Sequence, residues 1–169
     1  MDIATLGAGC FWCIEAILLN APGIISIEVG YTGGHIDAPT YKMICEGNTG
    51  HAEVAQIEFD NKKITYEELL SIFFEIHDPT TLNRQGNDTG TQYRSCIFYH
   101  DSNQKKIAEK TKNMIQSNFN NKIVTEIIPL EKFYSAENYH QNYYNNNQNA
   151  PYCNFVIKPK IEKYLNGQK

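Results

Sequence analysis

The feature that most constrains the fold is an alternation of strand patterns and helix patterns along the whole chain, without a linker or an internal repeat. The strand patterns cover residues 2–9, 24–31, 52–60, 93–100 and 124–130, and the helix patterns cover 11–20, 39–47, 65–78 and 101–119. Such a mixture is typical of helices layered on a mainly antiparallel sheet. We therefore predict a single α+β domain over residues 1–169, built as a two-layer sandwich with a mixed sheet.

The C-terminal part of the chain has a weaker pattern. Residues 137–150 are rich in Asn, although Tyr139 and Tyr143 offer packing surface, and a short basic helix is predicted from Lys158. We expect an irregular, mobile C-terminal segment over about residues 145–169.

Charge and hydropathy exclude several classes of partner. The formal net charge is −4, whereas a general nucleic-acid or membrane-surface binder needs a basic excess. No run is long and apolar enough to cross a bilayer, and no basic-then-apolar leader precedes Cys10. We expect a cytoplasmic monomer without nucleic-acid or membrane partners.

The cysteine content points to free thiols. The chain has five cysteines, an odd number that cannot pair completely within one molecule. In a reducing compartment, this favours free, catalytic or metal-binding thiols over a disulfide framework.

The stretch "GAGCFWCIEA" (7–16) places two cysteines where a predicted strand ends and a helix begins. A helix N-terminus stabilises a thiolate through its unpaired N–H groups and its dipole, so we predict a lowered pKa for Cys10. Cys13 lies on the same helix face, and the pair can cycle between dithiol and disulfide.

Two other interpretations of this pair remain open. Cysteine is often buried, so the two residues could simply fill the core. A zinc site would need a second Cys/His pair at ligand spacing, but Cys45, Cys96 and Cys153 stand alone, and we expect no metal.

Two further polar motifs follow glycine-rich turns at strand ends. "EGNTGHAEVAQIEF" (46–59) carries His51 and Glu53, which strand alternation would place on one face. "GNDTGTQYRSCIFY" (86–99) carries Asp88 and Tyr93. Each motif alone is compatible with an ordinary solvated turn.

Four motifs taken together are much more specific than any one of them. "GCFW", "GHAE", "GTQYRS" and "AENYHQ" occur in this order, and from about residue 3 to Cys153 the chain resembles the A-type peptide methionine sulfoxide reductases. The resemblance implies a ferredoxin-like core and the reduction of methionine S-sulfoxide, free or in oxidised proteins and peptides. It also implies no metal or organic cofactor, and thioredoxin or another thiol as the final reductant.

The resemblance assigns the chemistry to two residues. Cys10 matches the nucleophile, which becomes a sulfenic acid, and Glu53 matches the acid that protonates the sulfoxide oxygen. The physics agrees, because a sulfoxide sulfur is partly positive and a carboxyl in an apolar pocket can keep its proton at neutral pH.

The remaining matched positions bind the substrate. Phe11 and Trp12 match the apolar pocket for the methyl group. Tyr41 and Tyr93 match phenols that hold the oxygen, and Asp88 matches a polar residue that orders hydrogen bonds in the site. Phenolic O–H groups suit a developing negative charge on oxygen.

The residue that resolves the Cys10 sulfenic acid has two candidates. Position 13 is often glycine in the family but is Cys13 here, and "APYCNFVIKPK" with Cys153 replaces the common glycine-rich tail. We favour Cys153, on a tail expected to be mobile, over Cys13, whose disulfide would distort a helix start. We expect Cys45 and Cys96 to be buried thiols.

An alternative function is a generic dithiol–disulfide oxidoreductase that acts on protein thiols. Cys10 and Cys13 would suffice for it, but Glu53 and the aromatic residues would then have no role.

Overall fold

The computed structural model describes residues 1–167 and consists of helices packed on a central sheet. Its strands are β1 (Asp2–Ala8), β2 (Ile24–Thr32), β3 (Ala52–Phe59), β4 (Arg84–Gln85), β5 (Asp88–Thr89), β6 (Ser95–Tyr99), β7 (Glu126–Pro129) and β8 (Tyr134–Ser135). Its α-helices are α1 (Phe11–Leu18), α2 (Tyr41–Glu46), α3 (Tyr66–Glu75), α4 (Ser102–Ile115), α5 (Tyr143–Asn146) and α6 (Lys158–Gly167). The predicted α+β fold class is confirmed.

The main sheet has the strand order β7-β6-β1-β3-β2-β8 within the described residues. Strands β6 and β7 run parallel, and the other neighbouring pairs run antiparallel. The succession β1-α1-β2-β3-α3-β6, with the spatial order β6-β1-β3-β2, is the ferredoxin-like core that the sequence predicted.

The core forms where α1 and α3 pack on the sheet. Phe11, Ile14 and Leu18 of α1 recur at helical spacing and are at most 1% exposed. Fully burying one such side chain stabilises the fold by roughly 1.5–3 kcal/mol. A capping box begins α3, because Thr65 Oγ1 accepts from Glu68 N at 3.0 Å and Thr65 N donates to Glu68 Oε2 at 2.7 Å. Packing on β1 therefore fixes the start of α1, where the cysteine pair lies.

The sequence predicted residues 124–130 to be the last strand, and this is wrong. Strand β8 follows and pairs with β2, with Ser135 opposite Gly30 and Tyr134 opposite Tyr31. Two residues are too short to show an alternating pattern. Gly30 permits the pairing, because a Cβ there would clash with the Tyr134 carbonyl oxygen.

The predicted short helix from Lys158 is present as α6, but the prediction of an irregular segment over about residues 145–169 is wrong for residues 153–167. Gln168 and Lys169 lie outside the described residues. A π-helical turn, Cys153–Ile157, leads directly into α6. Ile157, Ile161 and Tyr164 form an apolar stripe that packs in one cluster with Ile17 of α1. The neighbouring Asn run concealed this helical stripe in the sequence.

Among residues 1–167, none of the helices is both long enough and apolar enough to cross a membrane.

Replacing Gly30 tests the close approach of β8 to β2. Gly30→Ala should lower the free energy of unfolding by about 1–3 kcal/mol, because the added methyl group overpacks the strand pair and lies 2.5 Å from Phe133 Cζ. Gly167→Ala is the control, since its Cβ would have only an ordinary contact, 3.7 Å from Glu75 Oε1. Equal free energies of unfolding in urea for Gly30→Ala and Gly167→Ala would contradict the pairing of β8 with β2.

Candidate active site

The junction of β1 and α1 places Cys10 in a buried position. Gly9, with φ of +90°, makes the turn, and Cys10 then caps α1 with its carbonyl oxygen 3.1 Å from Cys13 N. A Cβ at residue 9 would lie 2.7 Å from Gln85, so the approach requires glycine. The Cys10 side chain is 8% exposed. The predicted thiol is therefore at the helix start, but largely out of water.

The predicted lowering of the Cys10 pKa is wrong. Burial raises the pKa of this thiol, and so do its hydrogen bond to Cys13 and the negative charges of Cys13 and Glu53. The Trp12 backbone N–H opposes them, which is the helix-start effect that the sequence predicted. Burial outweighs the helix start, so the Cys10 thiol holds its proton.

Cys13 is the thiol of the pair that ionises more easily. A hydrogen bond from Cys10 lowers the pKa of Cys13 to about 7, against the effect of burial, with help from the charge of Lys160 and a hydrogen bond from Tyr152. The Lys160 Nζ and Tyr152 hydroxyl oxygen lie 3.9 Å and 3.7 Å from Cys13 Sγ. A negative charge on the pair is therefore held at Cys13.

Glu53 presents a neutral carboxyl to the same site. It lies on β3, is 1% exposed and accepts a hydrogen bond from Phe11 N at 3.2 Å through Oε1. Burial raises the Glu53 pKa to about 8. Its Oε2 is buried without a partner. Because Oε1 accepts the backbone N–H, the proton resides on Oε2, where it can be donated to a ligand.

Two phenols lie close to this carboxyl. Burial raises the pKa values of Tyr41 and Tyr93, and the charge of Glu53 raises both further. Tyr41 begins α2, and its backbone N–H donates to Glu137 Oε2 at 2.9 Å. Both phenols therefore keep their protons and can donate hydrogen bonds, as the sequence predicted.

The predicted aromatic pocket contains two residues that sequence reasoning missed. Trp12 stacks on Tyr143 with ring centroids 3.8 Å apart, and its Nε1 donates to His140 Nδ1 at 2.9 Å. Phe11 is fully buried, and its ring lies 5.2 Å from that of His140. The stretch "AENYHQNYY" was the available signal for both His140 and Tyr143.

The predicted polar residue Asp88 contacts the C-terminal helix. Its Oδ2 accepts a hydrogen bond from the Tyr152 hydroxyl at 2.8 Å, and the same hydroxyl reaches Cys13. The charge of Asp88 also raises the pKa values of Glu53 and Tyr93, so Asp88 lies beside the carboxyl and the phenol. Sequence reasoning missed Tyr152 and Lys160 because it treated this segment as mobile.

The other cysteines divide into buried and exposed thiols. Cys153 is fully buried and belongs to the same apolar cluster as Cys10 and Cys13, so the expected mobile thiol is a packed one. Cys96 is buried as predicted, but Cys45 is exposed, because only Ile44 of its helix turns into the core.

His51 does not join Glu53 in the site. Its Nδ1 accepts from Gly34 N at 3.0 Å, and its Nε2 lies 2.7 Å from the Ile36 carbonyl oxygen, so it fixes the loop after β2. Within residues 1–167, no group of three or more His, Cys, Asp or Glu side chains is arranged to hold a metal ion.

Comparison with known proteins gives full-length matches. The family model described as "Peptide methionine sulfoxide reductase" matches residues 2–169. The "Peptide methionine sulfoxide reductase MsrA" of Sulfolobus acidocaldarius is 54% identical over 165 residues, covering 98% of this chain and 94% of that protein. The reduced form of Mxr1 from Saccharomyces cerevisiae has a TM-score of 0.85 at 43% identity, over 90% of this chain and 88% of that one. Mxr1 in complex with Trx2 gives 0.60 at 33% identity, over 84% of each chain.

The protonation of Glu53 should appear in the pH dependence of stability. The folded pKa of about 8 lies above the ordinary glutamate value of 4.5, so the unfolded chain releases this proton at lower pH. Between pH 4.5 and about pH 8, rising pH therefore favours unfolding. The stabilising contribution of the Glu53 carboxyl is fully present only below pH 4.5. As the pH rises from about 4 to about 9, Glu53→Gln should therefore gain about 5 kcal/mol of stability relative to the parent.

Urea unfolding at both pH values measures this difference. Glu131→Gln, at an exposed position, is the matched control and should follow the parent. The same stability difference between Glu53→Gln and the parent at both pH values would contradict a protonated Glu53.

Proposed function

Because the chain belongs to the peptide methionine sulfoxide reductase family, we propose that Cys10 reduces methionine S-sulfoxide to methionine with Glu53 as the proton donor. The single observation that carries this assignment is the buried Oε2 of Glu53, which has no partner and sits on a carboxyl with a pKa of about 8. A sulfoxide oxygen accepts such a proton, and it leaves the substrate sulfur only when it is protonated.

The first half-reaction moves one oxygen atom. The Cys10 sulfur attacks the partly positive sulfoxide sulfur, and an S–S bond forms between them. The protonated oxygen then passes to Cys10 as this S–S bond and the S–O bond of the substrate break, and an S–O bond forms on Cys10. Glu53 gives its proton to the oxygen and receives the thiol proton of Cys10, so the products are methionine, a Cys10 sulfenic acid and a neutral Glu53. This exchange never requires a free thiolate at Cys10, which suits the raised pKa of this thiol.

The aromatic residues bind the substrate in this scheme. The Trp12 indole is held by His140 and by stacking on Tyr143, and it offers the methyl group an apolar wall. The hydroxyl groups of Tyr41 and Tyr93 donate to the sulfoxide oxygen as negative charge develops on it.

The second half-reaction regenerates Cys10, and here the geometry favours Cys13 over Cys153. The neighbouring Cys10 thiol lowers the pKa of Cys13 to about 7, whereas burial raises the pKa of Cys153. The reason for preferring Cys153 was a mobile tail, and that segment is helical. Cys10 is the N-cap, outside the helix, which eases closure of a Cys10–Cys13 disulfide. Cys153 is then placed to exchange with this disulfide.

We also propose the reductant, the substrates and the cellular setting of the reaction. Thioredoxin fits as the final reductant, because the related Mxr1 forms a complex with Trx2 and a dithiol protein can reduce a strained disulfide. We propose oxidised proteins or peptides as substrates, and a monomer acting in the cytoplasm, where a reducing environment keeps the cysteines free.

Glu53→Gln separates the reductase from a generic dithiol oxidoreductase. The variant should lose at least about a hundredfold in kcat/KM for methionine sulfoxide, because Gln cannot donate the proton. The kcat/KM of the parent should fall as the pH rises through about 8, where Glu53 loses its proton. Reaction of Glu53→Gln with a disulfide such as oxidised glutathione should continue. Full sulfoxide reduction by this variant would refute the assignment.

Cysteine variants test the order of resolution. After one turnover, Cys13→Ser should accumulate the Cys10 sulfenic acid, and Cys153→Ser should still form a Cys10–Cys13 bridge, as seen by mass mapping. The exposed Cys45→Ser is the control and should match the parent. Cys13→Ser could instead form a Cys10–Cys153 bridge. If this bridge forms as fast as the first disulfide of the parent, Cys13 is not the first resolver.

A further inference from the structure

The C-terminal helix places two polar groups against Cys13 that the reaction described so far does not use. Lys160 Nζ lies 3.9 Å from Cys13 Sγ, and the Tyr152 hydroxyl oxygen lies 3.7 Å from it. Cys13 is 4% exposed, so water screens these contacts little. Lys160 can donate a hydrogen bond to a sulfur anion, and the Tyr152 hydroxyl donates its one proton to Asp88.

The two groups are held by the packing of one helical segment. Tyr152 precedes the π-helical turn Cys153–Ile157, and Lys160 lies in the first part of α6. Ile157 and Ile161 anchor this segment in the apolar cluster that contains Cys13. The Tyr152 hydroxyl donates to Asp88 Oδ2 at 2.8 Å, which fixes its position beside the sulfur.

No carboxylate lies within ion-pair distance of Lys160 in the described part of the chain. Within residues 1–167, the ion pair found is Arg94 with Glu126, and it does not involve Lys160. Five other titratable groups interact with Cys13 through charge or hydrogen bonding. They are Cys10, Tyr152, Asp88, Glu53 and Cys153. Lys160 is the cation among the groups that act on Cys13, and its half-buried ammonium balances a charge on that sulfur.

We propose that Lys160 is a positioning residue for disulfide formation, which holds Cys13 as the thiolate that attacks the oxidised Cys10. This inference rests on the proposed function and extends it to the second half-reaction.

Disulfide formation between Cys13 and the oxidised Cys10 balances in atoms and electrons. The Cys13 thiolate attacks the Cys10 sulfenic sulfur, an S–S bond forms, and the S–O bond of Cys10 breaks. The departing oxygen takes the proton of Glu53 and leaves as water, and Glu53 later recovers a proton from solvent. Cys13 is oxidised while the sulfenic sulfur of Cys10 is reduced, so no external oxidant is required.

The test resolves the two half-reactions in a single turnover with methionine sulfoxide, by rapid quench over a range of pH. Methionine release reports the first step, and mapped Cys10–Cys13 disulfide reports the second. Lys160→Met keeps most of the side-chain length but loses the charge. It should release methionine at the parental rate and form the disulfide about tenfold more slowly at neutral pH, with its pH midpoint raised by roughly one unit.

Two further variants separate a charge effect from a packing effect. Lys160→Arg should restore the parental disulfide profile, because it keeps the cation. Lys163→Met removes a charge from the exposed side of the same helix and should change neither step. The proposal is overturned if disulfide formation in Lys160→Met has the same pH profile as in the parent. It is also overturned if the first disulfide of the parent joins Cys10 to Cys153.

A second measurement keeps the inference separate from the proposed function. If the parent releases no methionine, the reductase assignment fails, and Lys160 is judged by iodoacetamide alkylation of Cys13 in the Cys10→Ser protein. Adding Lys160→Met to that protein should slow alkylation about tenfold at neutral pH, and adding Lys163→Met should not. Equal alkylation rates with and without Lys160 overturn the role assigned to it.

Discussion

The hydrogen bond from the Phe11 backbone N–H to Glu53 Oε1, 3.2 Å long, joins the start of α1 to β3 and is the contact on which the site depends. It uses one of the unpaired donors of the helix start, so that end of the helix is satisfied without water. It also orients the carboxyl, because one oxygen is engaged and the other, Oε2, is left facing the site. The ferredoxin-like core provides this contact by packing α1 and β3 together.

Burial then decides where protons and charge reside. It raises the pKa of Glu53 and of the Cys10 thiol, so both the acid and the nucleophile are neutral before substrate binds. The pKa of Cys13 is lowered instead, and the Lys160 ammonium beside its sulfur reduces the cost of burying a charge there. The C-terminal helix is therefore part of the site, and its packing on α1 links fold stability to the regeneration of Cys10.

Much of this arrangement could be predicted from the sequence, for identifiable physical reasons. The longer strands and helices follow hydrophobic periodicity, and the α3 capping box follows local chemistry at Thr65 and Glu68. Periodicity could not reveal β8, since a two-residue strand has no pattern. The stripe of Ile157, Ile161 and Tyr164 was present in the sequence, but only contact with α1 shows that it is buried.

The error at Cys10 has a different origin. The sequence correctly placed the thiol at a helix start, whose N–H donors favour a thiolate, but burial and neighbouring charges depend on the fold and dominate the pKa. The most direct test of the account is therefore a ¹³C NMR titration of the Glu53 carboxyl, assigned by comparison with Glu53→Gln. A midpoint near 8 is the predicted result, because the buried carboxyl must keep its proton at neutral pH to serve as the donor. A midpoint near the ordinary glutamate value of 4.5 would contradict it, because the site would then hold a carboxylate with no proton to give.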